Sequence, residues 1–120
     1  MLRDEETRQV AADRCVLLVD VPEDLVRPIA AALAMTVLRA KHPAAACERM
    51  VTMRPLVVVV GGEQEPDQLA NVEEHALAIA AQVVVLANLG GGDKLVLHLK
   101  AARRAAEKSR TDPSEWERKT

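Results

Sequence analysis

Aromatic side chains are almost missing from this chain of 120 residues, which has one Trp and no Phe or Tyr. Any interior must therefore be built from Val, Leu, Ile, Met and Ala, residues that pack well between helices and a sheet. The same scarcity removes the ring faces on which single-stranded nucleic acids stack, and so disfavours a platform of that kind. Cysteine is scarce too. Cys15 and Cys47 each fall inside a predicted element and read as small buried hydrophobes in a reducing compartment, with a disulfide as the less favoured alternative. An excess of one charge is also lacking: 16 basic residues stand against 18 acidic ones, a net charge of −2. Nothing in that balance draws the whole chain to nucleic acid or to an anionic membrane. No apolar run has the length of a membrane span. The charged opening Arg3-Asp4-Glu5-Glu6 does not resemble a signal peptide, which leads to the expectation of a cytoplasmic protein.

What is present is ample apolar material, 49% of the residues, in a length that suits one domain. Two runs stand out. Arg54-Pro55-Leu56-Val57-Val58-Val59-Val60-Gly61-Gly62 is continuous, apolar and bounded by proline and paired glycines, the pattern of a buried parallel strand. Cys15-Val16-Leu17-Leu18-Val19-Asp20 is a second such run and ends in an acid. Between them, Asp24 is placed to cap a helix from Leu25 to Ala34, with Pro28 near its first turn and Leu25, Ile29, Ala32 and Leu33 on one face. Met35–Ala40 reads as a shorter edge strand, and Pro43 opens a helix through Thr52 with Ala46, Cys47 and Met50 inward. After a loop from Gly61 to Pro66, Asp67 is placed to cap the next helix, and Gln82–Ala87 is the fourth strand. Alternating strands and helices predict parallel βαβ units with right-handed crossovers.

Beyond the fourth strand, Gly90-Gly91-Gly92 precedes Asp93, which can cap a long helix to Arg110. Leu95, Leu99, Ala102 and Ala106 fit helical spacing, while Leu95, Leu97 and Leu99 also alternate as a strand would. The Ala, Arg, Glu and Lys that follow favour the helix. The expected organisation is an N-terminal arm over 1–13, an α/β domain over 14–110, and a disordered tail over 111–120. The fold class is a flavodoxin-like three-layer α/β/α arrangement whose parallel sheet stops after the fourth strand.

The segment Val16-Leu17-Leu18-Val19-Asp20-Val21-Pro22-Glu23-Asp24-Leu25 resembles the opening strand and acidic loop of bacterial response-regulator receiver domains. Met53-Arg54-Pro55-Leu56-Val57-Val58 resembles the lead into that family's phosphorylated strand, and the likeness covers roughly residues 14–89. The family implies a pair of acids that helps to hold Mg²⁺, an aspartate nucleophile after the third strand, a hydroxyl after the fourth and a lysine after the fifth. Here the acid pair becomes Asp20 and Val21, the nucleophile position Gly61 and the hydroxyl position Ala87, with no matching Lys-Pro. One carboxylate, a valine and a glycine cannot form an oxygen cage for Mg²⁺. The resemblance is therefore to a degenerate pseudo-receiver, with no phospho-acceptor, no metal, no cofactor and no enzymatic activity expected.

Ligands of open parallel sheets bind at the carboxyl ends of the strands. Asp20, Gly61, Gly62 and Asn88 would gather there as a crevice for a small anion or nucleotide. The plainer reading is that these glycines make turns and Asp20 accepts local hydrogen bonds. His42, His75 and His98 have no metal-ligand spacing. Lys100, Arg103, Arg104, Lys108 and Arg110 make the last helix basic, a solvated face more readily than a nucleic-acid surface. An exposed edge at Val83–Leu86, with Val84, Leu95, Leu99, Ala102 and the lone Trp116, forms the candidate interface. The expectation is a phosphorylation-independent interaction module in bacterial signalling or assembly, with a protein partner and self-association. The alternative is a small-ligand-binding protein that uses the crevice beside Asp20.

Overall fold

The computed structural model describes residues 15–89 and 92–111. Four strands are joined by helices in strict alternation: β1 (Cys15–Val19), α1 (Glu23–Leu33), β2 (Thr36–Ala40), α2 (Pro43–Met53), β3 (Val57–Val60), α3 (Pro66–Ala78), β4 (Gln82–Val85) and α4 (Gly92–Thr111). All neighbouring strands are parallel, in the order β2-β1-β3-β4. This is the flavodoxin-like arrangement the alternating pattern predicts. The expected arm at 1–13, Gly90 and Gly91, and the tail beyond Thr111 with Trp116 lie outside the described residues.

Side-chain alternation divides the sheet cleanly into two interiors. Val16, Leu18, Val57, Val59 and Val84 point to one face, where they meet Ile29 and Leu33 of α1 and Leu95, Leu99 and Ala106 of α4. Leu17, Val19, Val58 and Val60 point to the other, against Ala46, Cys47 and Met50 of α2 and Val72 and Ala76 of α3. Every position of β1 and β3 is buried, so both read as continuous apolar runs and not as alternations.

Several local expectations are corrected. The N-cap of α1 is Pro22, not Asp24, and Glu23 and Asp24 lie in the first turn, where their charge complements the helix dipole. Because α1 starts at Glu23, Pro28 lies past the first turn and removes one internal hydrogen bond. Likewise Glu65 is the N-cap of α3, with Pro66 at its first position, and Asp67 sits inside the turn. In α2 the His42 Nδ1 accepts from the Ala45 N–H at 3.2 Å, a capping role. β4 ends at Val85, and Leu86–Asn88 winds into a single 3₁₀ turn instead of extending the strand. Residues 94–99 are helical.

The end of the sheet at β4 has a topological reason. Crossovers toward β3 and β4 run through α2 and α3 on one face, while the crossover from β1 to β2 runs the other way through α1 on the opposite face. α4 lies on the face of α1. A further parallel strand beside β4, reached from α4, would require a left-handed crossover, which folds avoid. Among the described residues, no strand pairs with the outer side of β4.

Candidate functional site

The chain leaves β1 toward β2 on one side and returns to β3 on the other, so the topological switch lies between β1 and β3. Two loops meet above it, Asp20–Pro22 after β1 and Gly61–Glu65 after β3. The structure brings together three of the four predicted crevice residues, Asp20, Gly61 and Gly62. Asn88 ends the 3₁₀ turn after β4, and its side chain lies outside the described residues.

The two loops are in direct main-chain contact. The Gly61 N–H donates to the Val19 carbonyl at 2.8 Å, continuing the β1–β3 ladder by one residue. A Cβ on Gly61 would lie 2.5 Å from the Asp20 carbonyl oxygen and 2.9 Å from Val21 Cα. Position 61 therefore has no room for any side chain while the first loop keeps this path. Gly62 has φ +65°, a conformation that suits glycine, and a Cβ there would run into the Asp20 carboxylate. Asp20 itself has φ 52°, held by its N–H to the Ala40 carbonyl at 2.9 Å. Gln64 closes the join, with Nε2 donating to Asp20 Oδ2 and to the Gly61 carbonyl, each at 3.2 Å. Gln64 had no signal in the sequence, since only the loop's path brings it to Asp20.

Where the receiver chemistry would require a second acid, Val21 is buried in the α1–α4 core. Asp20 is the one carboxylate at the join, and Glu63 is exposed. This donor set does not fit a hexacoordinate Mg²⁺, which demands several hard oxygens in near-octahedral geometry. Among the described residues, no group of three or more His, Cys, Asp or Glu is arranged to hold a metal. Both cysteines are buried and no disulfide joins them, and burial raises the Cys47 thiol above its ordinary value.

Space does open on the other side of Asp20. A depression of about 560 Å³ lies between the ends of β1 and β2, lined by Leu18, Asp20, Val21, Arg39, Ala40 and Lys41. Arg39 is already engaged there, its Nη1 donating to Glu23 Oε1 at 3.2 Å. Arg39 and Lys41 carry no sequence signal of their own, although Arg39 lies at the carboxyl end of the edge strand and Lys41 follows it.

The predicted interface is placed differently from the expectation. Val84, Leu95 and Leu99 are 7%, 8% and 0% exposed, and half-buried Ala102 packs against the same interior. The stripe is covered by the chain's own β3, β4 and α1, because α4 folds back across the sheet. Arg103 pins it there, Nη1 donating at 2.9 Å to the Leu33 carbonyl at the end of α1. What stays open is the edge of β4 itself, a groove of about 350 Å³ between α3 and α4, with Glu73 on one wall and His98 on the other.

No helix among the described residues is long and apolar enough to cross a membrane. No protein-family model matches the chain, and no curated protein matches its sequence.

Proposed function

We infer that this chain is a non-catalytic, phosphorylation-independent protein-interaction module on a receiver-like scaffold. The observation that supports this best is the packed join at Gly61. The position that would carry a nucleophile in a receiver is filled by the main chain of Asp20 and Val21, so the scaffold lacks both the acceptor and the space for one. Loops that switch must be free to move, whereas these two are bonded through Gln64 and the extended ladder. A module of this kind acts by presenting surfaces to protein partners, as a scaffold in bacterial signalling or assembly in the cytoplasm. Incubation with acetyl phosphate and Mg²⁺, followed by intact-mass measurement, tests the reading. No gain of mass is expected, and an acid-labile phosphoryl group on a carboxylate would overturn it.

A second reading has one observation in its favour. The depression beside Asp20 carries Arg39 and Lys41 at its rim, suited to a small anionic ligand such as a nucleotide. A thermal-shift screen with nucleotides, flavins and phosphates distinguishes the two. A concentration-dependent rise in melting temperature that Lys41→Ala abolishes would favour the ligand-binding protein.

A further inference from the structure

The surfaces of α3 and α4 carry opposite charge. Residues 63–78 include Glu63, Glu65, Asp67, Glu73 and Glu74 and no Lys or Arg. Residues 94–108 include Lys94, Lys100, Arg103, Arg104 and Lys108 against one acid, Glu107, which pairs with Arg103 at 3.5 Å. The two helices lie on opposite faces of the sheet, so the chain has an acidic side and a basic side.

Each side also carries an exposed leucine. On α3 the residues opposite the buried Val72 and Ala76 are Asp67, Ala70, Glu74 and Leu77, the last 80% exposed. On α4 the residues opposite buried Leu95, Leu99 and Ala106 are Leu97, Lys100, Arg104 and Lys108, with Leu97 70% exposed. Among the described residues, none of these acids and bases is in an ion pair within the chain. The spacings match when the helices run antiparallel. With Leu77 set against Leu97, Glu74 and Lys100 both stand about 4.5 Å along, Ala70 and Arg104 about 10.5 Å, and Asp67 and Lys108 about 15 and 16.5 Å.

We propose that the partner is a second copy of this chain, its basic α4 docked antiparallel on the acidic α3 of the first. The proposal rests on the interaction-module reading and gives that module its occupant. Charge decides the arrangement. A two-fold pairing of the open β4 edges would set α3 against α3 and α4 against α4, like charge against like. Docking α3 on α4 sets opposite charges together and centres them on two leucines. Such a contact is heterologous: each added copy leaves one α3 and one α4 unoccupied, so assembly continues past the dimer unless a ring closes.

The experiment is sedimentation velocity of the full chain over a range of concentrations, at about 0.02 M and about 0.5 M salt, where screening lengths differ several-fold. Wild type should form species larger than a dimer at low salt and dissociate at high salt. Asp67→Lys/Glu74→Lys and Lys100→Glu/Lys108→Glu should each weaken self-association at least tenfold, with melting curves showing that both remain folded. Mixed in equal amounts, the two variants regain complementary surfaces and should associate again. A wild type that is monomeric at high micromolar concentration and low salt would overturn the proposal. So would a salt-insensitive dimer, or a mixture that fails to recover. Mass measurement after acetyl phosphate treatment separates the two failures: a monomer that takes up no phosphoryl group removes the second copy as partner and leaves the non-catalytic reading standing.

Discussion

β3 and β4 are neighbours with nearly the same sequence, Val-Val-Val-Val and Gln-Val-Val-Val, and they have different fates. Every residue of β3 is buried, whereas β4 is buried at Val84 alone and half exposed elsewhere. Composition does not separate them. β3 has a strand on both sides and helices on both faces, and β4 has a strand on one side only. The contrast teaches that strand character comes from the residues while burial comes from position in the sheet. Val58 and Val83 are register partners and allow a direct test. Val58→Asp places a carboxylate where water cannot reach, at a cost of several kcal/mol, comparable with the roughly 5–15 kcal/mol stability of a small domain. It should unfold the chain, as seen by circular dichroism and loss of the melting transition. Val83→Asp lets the carboxylate turn toward solvent and should cost about 2 kcal/mol. Equal losses would mean that the β4 edge is covered as fully as the centre.

The carboxyl ends of the strands repeat the contrast. β1 and β3 are joined by main-chain contact at Gly61, while β1 and β2 diverge around a depression. Gly61→Ala should therefore be costly for so small a change. The new methyl meets backbone atoms that move only if the Asp20–Pro22 loop moves, and overpacking of this kind costs about 1–3 kcal/mol. Denaturant unfolding measures the loss. A variant as stable as wild type would show that the two loops part easily, which would reopen the join as a binding crevice.

The inner strands were legible in the sequence because a strand buried on both faces must be apolar throughout, as Cys15–Val19 and Val57–Val60 are. The helix at 92–111 was legible too, from the spacing of Leu95, Leu99, Ala102 and Ala106. Its destination was not. Periodicity shows that a face is apolar and leaves open whether a partner or the chain itself covers it, and here α1 and the sheet occupy it. The contact that fixes it joins Arg103 to the Leu33 carbonyl across 70 residues, beyond any local pattern. The caps at Pro22 and Glu65 escape the sequence for a related reason. An acid at the N-cap and an acid one or two residues inside both suit the start of a helix, and only backbone geometry separates them. At the site, Gly61 was legible as a departure from the receiver pattern. That it must be glycine follows only from the path of the neighbouring loop.

The smallest expected effect belongs to the outer strand β2. Arg39 reaches from that strand to Glu23 at the start of α1. Both side chains are largely in water, 53% and 77% exposed. Charges so placed are screened, and holding two long side chains in one geometry costs entropy, so such a pair contributes about 0.5 kcal/mol or less. β2 is held instead by its ladder to β1 and by partly buried Val37 and Leu38, which pack on opposite faces of the sheet. Arg39→Ala should leave the denaturation midpoint nearly unchanged, and the small difference should vanish at high salt. A loss as large as that of Val83→Asp, shrinking as salt is raised, would mean that the two outer strands are held by different forces, β4 by apolar contact and β2 by charge.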